Sequence, residues 1–168
     1  MGMSSRAPIT VAVLMGGRGA ERDVSISTGY ECAVALRHVG YTVVEIEANV
    51  NLVENLMKIA PDVVFNALHG RWGEDGCVQG LLNILGIPYT HSGVIASAIA
   101  MDKHMTKKVL DTCNILSPDH QILTRGELSN NLGIDAPFVI KPITEGSSVG
   151  VKIIRDEKKI NFKNLEWP

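Results

Sequence analysis

The fold is decided by residues 63–80, VVFNALHGRWGEDGCVQG, in which an apolar run ends in a polar, glycine-dense turn and a helical pattern follows. This order of patterns predicts a strand, a loop and a helix. In an open parallel sheet, ligands bind at the carboxyl ends of the strands. The polar side chains expected at that edge are those of His69, Arg71, Glu74 and Asp75. The alternative is a mobile loop whose charges are simply solvated.

Strand and helix patterns alternate on both sides of this stretch. An apolar run predicts a strand over Ile9–Met15, which stops at the glycine turn of residues 16–19. A helix that ends before Gly40 is predicted from the spacing of Ile26, Tyr30, Ala33, Val34 and Leu36. The further predicted elements are a strand Thr42–Glu47, helices Leu52–Ile59 and Gln79–Leu85, and a short extended piece Ile87–Tyr89. This alternation predicts an α/β fold with a small, Rossmann-like, doubly wound parallel sheet.

The pattern changes from Thr90 onward, and we expect a second domain there. We predict a disordered leader over residues 1–8, an N-terminal domain over 9–93 and a smaller α+β subdomain over 94–168. The elements predicted in this subdomain are helices Val94–Met101 and Met105–Cys113, a strand His120–Leu123, a short helix or loop Glu127–Leu132, and strands Phe138–Pro142 and Val151–Ile154. The charged residues after Asp156 predict the start of another helix.

The composition narrows the classes of function. A formal net charge of −2 leaves no electrostatic footprint for nucleic acid or anionic lipid. No run approaches the length of about 18 apolar residues that a membrane span requires. The cysteines, Cys32, Cys77 and Cys113, are far apart and never form a C-x-x-C pair. This spacing argues against a disulfide framework or a zinc cluster and favours free thiols in a reducing cytoplasm.

The first glycine turn lacks a complete dinucleotide fingerprint. Arg22 stands where G-x-G-x-x-G has its third glycine, which disfavours the alternative of an NAD-dependent oxidoreductase domain. Glu21, at the start of the predicted helix, would repel a pyrophosphate. A carboxylate there suits a cationic group such as an amine. The alternative is an acid that caps the helix and complements its dipole.

A lysine within an apolar run marks the second region of interest. Lys141 lies inside the predicted strand Phe138–Pro142, and a buried lysine is costly unless it is paired, so we expect it to face an anion. The glycine- and serine-rich residues 145–150 follow it, and such a hairpin tip is suited to cover phosphates. It is not a Walker A loop, since no G-K-[ST] order is present. The alternative is an ordinary flexible hairpin.

Taken together, these segments resemble the D-alanine–D-alanine ligases, ATP-grasp enzymes of peptidoglycan synthesis. The matching segments are GGRGAERDVS (16–25), LHGRWGEDG (68–76), PYTHSGV (88–94), AMDK (100–103), and VIKP (139–142) with EGSSVG (145–150). They occur in the order of the family and cover the chain from about Val11 to Val151. His91 stands where many relatives have glycine, and Trp72 is bulky for its loop. The resemblance implies a pre-ATP-grasp N-terminal domain followed by an incomplete ATP-grasp subdomain.

The resemblance also implies a reaction and its substrate-side residues. ATP would phosphorylate the carboxylate of one D-alanine, and the amine of a second D-alanine would attack the acyl phosphate. Glu21 is similar to the residue that engages the ammonium group of the first D-alanine. Ser147 or Ser148 is similar to the loop serine that forms a hydrogen-bond network with Glu21. His69 is similar to the histidine that orients substrate and acyl phosphate.

The same resemblance assigns the nucleotide side. Lys103 and Lys141 are similar to the two lysines that contact the ATP phosphates, and the loop that covers them contains Glu145, Gly146, Ser147 and Ser148. The metal, Mg²⁺ or Mn²⁺, would be held by carboxylates that relatives of about twice this length supply from a C-terminal half. We therefore expect the 168-residue chain to be inactive by itself. Homodimerisation through the N-terminal domain is also implied, and the alternative function is a non-catalytic module that binds D-alanine or dimerises.

Overall fold

The computed structural model describes residues 8–127 and 133–156. Its chain divides into two compact units between Ala98 and Ile99. The predicted leader, the predicted element over 127–132 and the predicted helix start after Asp156 lie outside the described residues, apart from single residues at their edges. No helix in the described ranges is long and apolar enough to cross a membrane. The domain limits predicted from the sequence stay a prediction.

Strands and helices alternate through the first unit, as the sequence predicts. Its elements are β1 (Thr10–Met15), α1 (Arg22–His38), β2 (Thr42–Glu47), α2 (Leu52–Ile59), β3 (Val63–Asn66), α3 (Cys77–Leu85) and α4 (Val94–Met101), the last of which contains the division between the units. Strand β1 lies between β2 and β3 and runs parallel to both, with Val11 opposite Val43 and Val63. Tyr89 adds a parallel bridge beside Val64. The predicted α/β fold with a parallel sheet is confirmed.

The sheet is covered on both faces, which makes it doubly wound. On one face, Leu14 packs with Leu56 of α2 and Leu82 of α3. On the other face, Val13 packs in a second cluster with Ala33 of α1. Neighbouring side chains of a strand point to opposite faces, so a strand covered on both faces is apolar at successive positions. This arrangement explains why β1 is apolar and buried at every position after Thr10.

Helix α1 packs through small residues rather than through the large apolar residues whose spacing predicts it. Its buried positions are Ser25, Gly29 and Ala33, whereas Tyr30 is 56% exposed. A Cβ atom placed on Gly29 would lie 2.5 Å from Cβ of Met15. The helix therefore approaches the sheet so closely that only glycine fits at this position.

The second unit contains a helix and a hairpin. Helix α5 (Lys103–Thr112) begins after Asp102, whose carboxylate accepts hydrogen bonds from the backbone N–H groups of His104 and Met105. Strands β4 (Phe138–Ile140) and β5 (Lys152–Ile154) pair antiparallel, as the predicted hairpin requires.

The predicted strand His120–Leu123 is wrong. These four residues have no strand conformation, and the described residues between α5 and β4 supply no strand to pair with them. Ile122 and Leu123 remain exposed. A short apolar run becomes a strand only where a neighbouring strand satisfies its backbone groups.

Candidate active site

Glu21 is a largely buried residue of the first unit, and its carboxylate has no partner among the described residues. Glu21 precedes α1 and ends the glycine turn after β1, so it lies at the carboxyl edge of the sheet. The residue is only 6% exposed, and within residues 8–127 and 133–156 no hydrogen bond or ion pair joins its side chain to another residue. It makes no capping hydrogen bond to α1. A carboxylate that is not paired with any described residue is suited to receive a cationic group, since charge-assisted hydrogen bonds are the strong ones.

The loop after β3 approaches this carboxylate through glycine. Gly70 has a φ of +66°, and a Cβ atom on it would lie 2.6 Å from Oε2 of Glu21. A Cβ atom on Gly19 would lie 3.9 Å from the backbone nitrogen of Arg71. The two loops that follow β1 and β3 therefore meet at the carboxyl edge of the sheet, where the sequence predicts a ligand site.

Two side chains of α1 fix the loops in this arrangement. The buried Ser25 hydroxyl accepts a hydrogen bond from the Gly16 N–H (2.9 Å) and donates one to the Ala67 carbonyl (2.8 Å). Thr28 Oγ1 lies 3.1 Å from Nε2 of His69. Sequence analysis assigns no role to Ser25 or Thr28. The small residues Ser25, Gly29 and Ala33, spaced four apart, are the signal that could have identified the buried face of α1.

His69 is half-buried beside Glu21's loop and contacts polar groups on both ring nitrogens. Its Nε2 faces Thr28, and its Nδ1 lies 3.9 Å from Oε1 of Glu74. The other carboxylate oxygen of Glu74 accepts a hydrogen bond from the Gly70 N–H at 2.7 Å. Glu74 therefore holds the Gly70 backbone that faces Glu21, and its other oxygen lies near His69.

Asp75 stabilises the loop rather than facing a ligand. Its carboxylate accepts hydrogen bonds from the backbone N–H groups of Trp72 (3.0 Å) and Cys77 (3.0 Å). Burial favours the protonated form, but these hydrogen bonds outweigh it and hold the pKa of Asp75 below its ordinary value. Burial and the neighbouring Asp75 raise the pKa of the Cys77 thiol, so Cys77 is not an activated nucleophile.

Two buried amide side chains form hydrogen bonds to the backbone of the loop that follows β3. Asn66 and Gln79 both donate hydrogen bonds to the carbonyl of Gly73, at 2.8 and 2.7 Å. Asn66 Oδ1 also accepts from the Leu68 N–H at 3.1 Å. Sequence analysis misses both residues, because a polar residue within a strand or helix pattern is ordinarily assigned to the surface.

Lys103 links the start of α5 to the β4–β5 connection in the second unit. Its ammonium donates to the carbonyl of Glu145 (2.5 Å) and lies 3.3 Å from that of Ile143. Burial lowers the pKa of Lys103, and the positive charge of Lys141 lowers it further. The two ammonium groups therefore lie close enough to repel each other, and an anion would relieve this repulsion.

The expectation that Lys141 is buried in a strand is wrong. Strand β4 ends at Ile140, and Lys141 is exposed. Pro142 follows, and proline has no N–H group to continue a strand ladder. The expectation of an anion near Lys141 is therefore supported by the proximity of Lys141 to Lys103 and not by burial of Lys141.

The connection between Lys141 and β5 contains the serine turn. Ser147 and Ser148 are exposed and have φ angles of +43° and +65°, which are uncommon for residues with a side chain. Glu145 and Gly146 precede them, and the Gly146 carbonyl accepts a hydrogen bond from the Val149 N–H at 2.9 Å. The hydrogen bond between this serine pair and Glu21 that the resemblance implies stays a prediction.

The residues present do not fit a metal ion. Among the described residues, no group of three or more histidine, cysteine, aspartate or glutamate side chains could hold one. The first unit presents a partnerless buried carboxylate, and the second presents paired lysines beside a serine turn. The fold and the two sites thus define an α/β protein suited to bind a cationic group and an anionic group.

Comparisons with known proteins identify the family. A family model described as the D-ala D-ala ligase N-terminus matches residues 48–92. The chain is 55% identical over 156 residues to the D-alanine–D-alanine ligase of Ruegeria sp. (strain TM1040), covering 93% of this chain and 51% of that protein. The chain belongs to the D-alanine–D-alanine ligase family and spans about half the length of the curated relatives it matches.

Solved structures agree with this assignment. The chain superposes on a D-alanine–D-alanine ligase from Bacillus anthracis with a TM-score of 0.71 and 42% identity, covering 89% of this chain and 50% of that one. The ligase from the same organism complexed with ATP gives a TM-score of 0.69 and 39% identity, with 90% and 52% covered. The family predicted from the sequence motifs is therefore confirmed.

Proposed function

We propose that this chain forms the amino-acid site and part of the ATP site of an enzyme that ligates two D-alanines in the cytoplasm. The product, D-alanyl-D-alanine, would serve peptidoglycan synthesis. The observation that carries the proposal is the buried carboxylate of Glu21, which has no partner within the described residues and lies at the sheet edge where ligands bind. An amino acid supplies the ammonium group that such a carboxylate requires.

The residues around Glu21 take complementary roles in this proposal. Glu21 binds the ammonium of the first D-alanine, while His69, oriented by Thr28 and Glu74, faces the carboxyl end of the substrate and its acyl phosphate. These groups orient the substrate so that its carboxylate is available to react, which is the main contribution that a protein makes to phosphoryl transfer.

ATP is the anion that the second unit would hold. Lys103 and Lys141 neutralise its phosphates, and the residues Glu145, Gly146, Ser147 and Ser148 cover them. ATP supplies the phosphoryl group that activates the carboxylate. The ligase from Bacillus anthracis has been solved in complex with ATP, which supports this assignment. Mg²⁺ or Mn²⁺ would assist, but the described residues do not form its site, so we expect the 168-residue chain to bind substrate without turnover.

The test combines binding with turnover. D-alanine is titrated calorimetrically into the chain and into Glu21→Gln, with Glu31→Gln, an exposed residue of α1, as the matched control. Phosphate release from Mg-ATP is followed with and without D-alanine. We expect D-alanine to bind to the parent chain and to Glu31→Gln but not to Glu21→Gln. We expect no phosphate release from Mg-ATP. Equal D-alanine binding by Glu21→Gln and the parent chain would refute the role assigned to Glu21. Phosphate release by a sample whose measured mass is that of the 168-residue chain would refute the expected inactivity.

A non-catalytic role as a D-alanine-binding or dimerisation module is the second candidate. It is favoured by the apolar residues that α1 leaves exposed, which are Val24, Tyr30 and Val34. A homodimer through the first unit would cover them. Sedimentation equilibrium of the chain and of Tyr30→Glu tests this, since a dimer should dissociate in the variant. A monomer at all concentrations would refute dimerisation.

A further inference from the structure

We propose that Arg18 and Trp72 are a positioning pair that holds together the two loops of the amino-acid site. The inference concerns loop geometry, and its consequence for D-alanine rests on the proposed function. The guanidinium carbon of Arg18 lies 5.3 Å from the centroid of the Trp72 ring, which is a cation–π contact. Arg18 belongs to the loop that ends in Glu21, and Trp72 belongs to the loop that contains Gly70.

The backbone of Trp72 is held in an uncommon conformation. Its φ is +73°, although residues with a side chain rarely adopt this region. Its N–H donates to Asp75, and its carbonyl accepts from the Val78 N–H at 3.0 Å. The hydrogen bonds on both sides of the residue fix the direction in which the indole ring leaves the loop. Such strain persists only where the surrounding structure enforces it, and it concentrates at functional sites.

The consequence reaches Glu21 through the backbone. Gly70 lies two residues before Trp72 and so close to Glu21 that an added Cβ atom would lie 2.6 Å from Oε2 of the carboxylate. If the loops separate, water enters around the carboxylate and weakens its attraction for an ammonium group, because the local dielectric constant rises. The Ser25 hydroxyl joins the loops where they leave the strands, and the Arg18–Trp72 contact joins them farther out. The pair would thus hold the Gly70 backbone beside the Glu21 carboxylate.

The first experiment needs no ligand. NMR on the full 168-residue chain follows the Gly70 amide resonance and the chemical shift of the Glu21 side-chain carboxyl carbon. Arg18→Gln removes the cation, Arg18→Lys retains it, and Arg37→Gln removes an exposed arginine that pairs with Glu45 elsewhere. We expect both signals to shift in Arg18→Gln, to return towards the parent values in Arg18→Lys and to stay unchanged in Arg37→Gln. Unchanged Gly70 and Glu21 signals in Arg18→Gln would overturn the proposal.

The second experiment titrates D-alanine calorimetrically into the same variants. An exposed cation–π contact is worth about 0.5–1 kcal/mol, so Arg18→Gln should weaken binding by about two- to fivefold, and Arg18→Lys by less. An affinity equal to that of the parent chain would overturn the positioning role. If the parent chain binds no D-alanine, the proposed function fails, and the NMR result still decides whether Arg18 positions the loops.

A third experiment, with two variants of Trp72, separates positioning from simple stabilisation. Trp72→Gly relieves the positive φ but removes the ring, so we expect an unchanged or higher Tm together with weaker D-alanine binding. Trp72→Phe keeps an aromatic face for Arg18 and should restore binding. A contact that only stabilises the fold would lower Tm and affinity together, and that result would contradict the proposal.

Discussion

Gly70 and Glu21 are in such close contact that a single added carbon at Gly70 would reach the carboxylate, 2.6 Å from Oε2. The absence of a side chain at Gly70 therefore sets the position of the acid. We predict that Gly70→Ala displaces the Glu21 carboxylate and weakens D-alanine binding by about tenfold or more, since small misplacements of a positioning group cost that much. Calorimetric titration of the chain measures the loss.

The control for this variant is Gly86→Ala. Gly86 has nearly the same conformation, with a φ of +68°, but no atom lies within 4 Å of the added carbon. Both variants should lose about 1–2 kcal/mol of folding stability from the left-handed backbone conformation. Only Gly70→Ala should lose affinity. Equal D-alanine affinities for the two variants would show that the contact with Glu21 has no functional consequence.

Asp75 makes the stability of the first unit depend on pH. Its pKa is lower in the folded chain than in the unfolded chain, so the stabilisation is present above the unfolded value and is lost as the pH falls through the folded value. Asp75→Asn leaves one of the two backbone donors without an acceptor. We predict that Asp75→Asn lowers the free energy of unfolding by about 1–3 kcal/mol at neutral pH and by less in acid.

Urea unfolding of the parent chain and Asp75→Asn at several pH values measures this difference. Glu31→Gln, which changes an exposed acid of α1, serves as the control and should remain within about 0.5 kcal/mol of the parent chain. A difference for Asp75→Asn that is constant from neutral to acidic pH would contradict the electrostatic explanation.

The burial of Lys103 and its repulsion by Lys141 predict a second pH effect. Because the folded pKa of Lys103 lies below 10.5, the unfolded chain binds more protons in that interval, and the free energy of unfolding rises with pH there. Lys141→Ala should raise the pKa of Lys103 towards its ordinary value and weaken ATP binding. NMR titration of the lysine side chains and ATP titration measure the two effects.

Lys108→Ala removes an exposed lysine of α5 and provides the comparison. It should change neither the pKa of Lys103 nor the affinity for ATP. Retained ATP affinity in Lys141→Ala would show that Lys141 does not contact the nucleotide.

The sequence predicts the elements of the first unit because apolar periodicity is strong there. Strand β2 and helix α2 have the predicted limits, and their side chains pack against neighbours that lie close in the chain. The second unit shows where periodicity is insufficient. The pattern of residues 138–142 does not reveal that the strand ends before Lys141, and His120–Leu123 lacks the partner strand that a strand conformation requires.

The site is predictable in its residue types but not in its contacts. The acid at Glu21 and the glycine turns are visible in the sequence, and they suffice to predict a cation site at the sheet edge. The contact of Gly70 with Glu21 depends on how two distant loops meet, which no local pattern encodes. Ser25, Asn66 and Gln79 are missed for a related reason: their polar groups are buried because their hydrogen-bond partners are contributed by other elements.

The stability of the first unit depends on the close packing of α1 against the sheet at Gly29. An added Cβ would meet Cβ of Met15 at 2.5 Å, and both atoms belong to rigid elements that cannot move aside independently. We predict that Gly29→Ala lowers the free energy of unfolding by about 1–3 kcal/mol, despite the better helix propensity of alanine. Ser27→Ala, at an exposed position of α1, should differ from the parent by no more than about 0.5 kcal/mol. Urea unfolding of both variants measures this, and a stabilised Gly29→Ala would mean that the helix lies farther from the sheet than its contact with Met15 indicates.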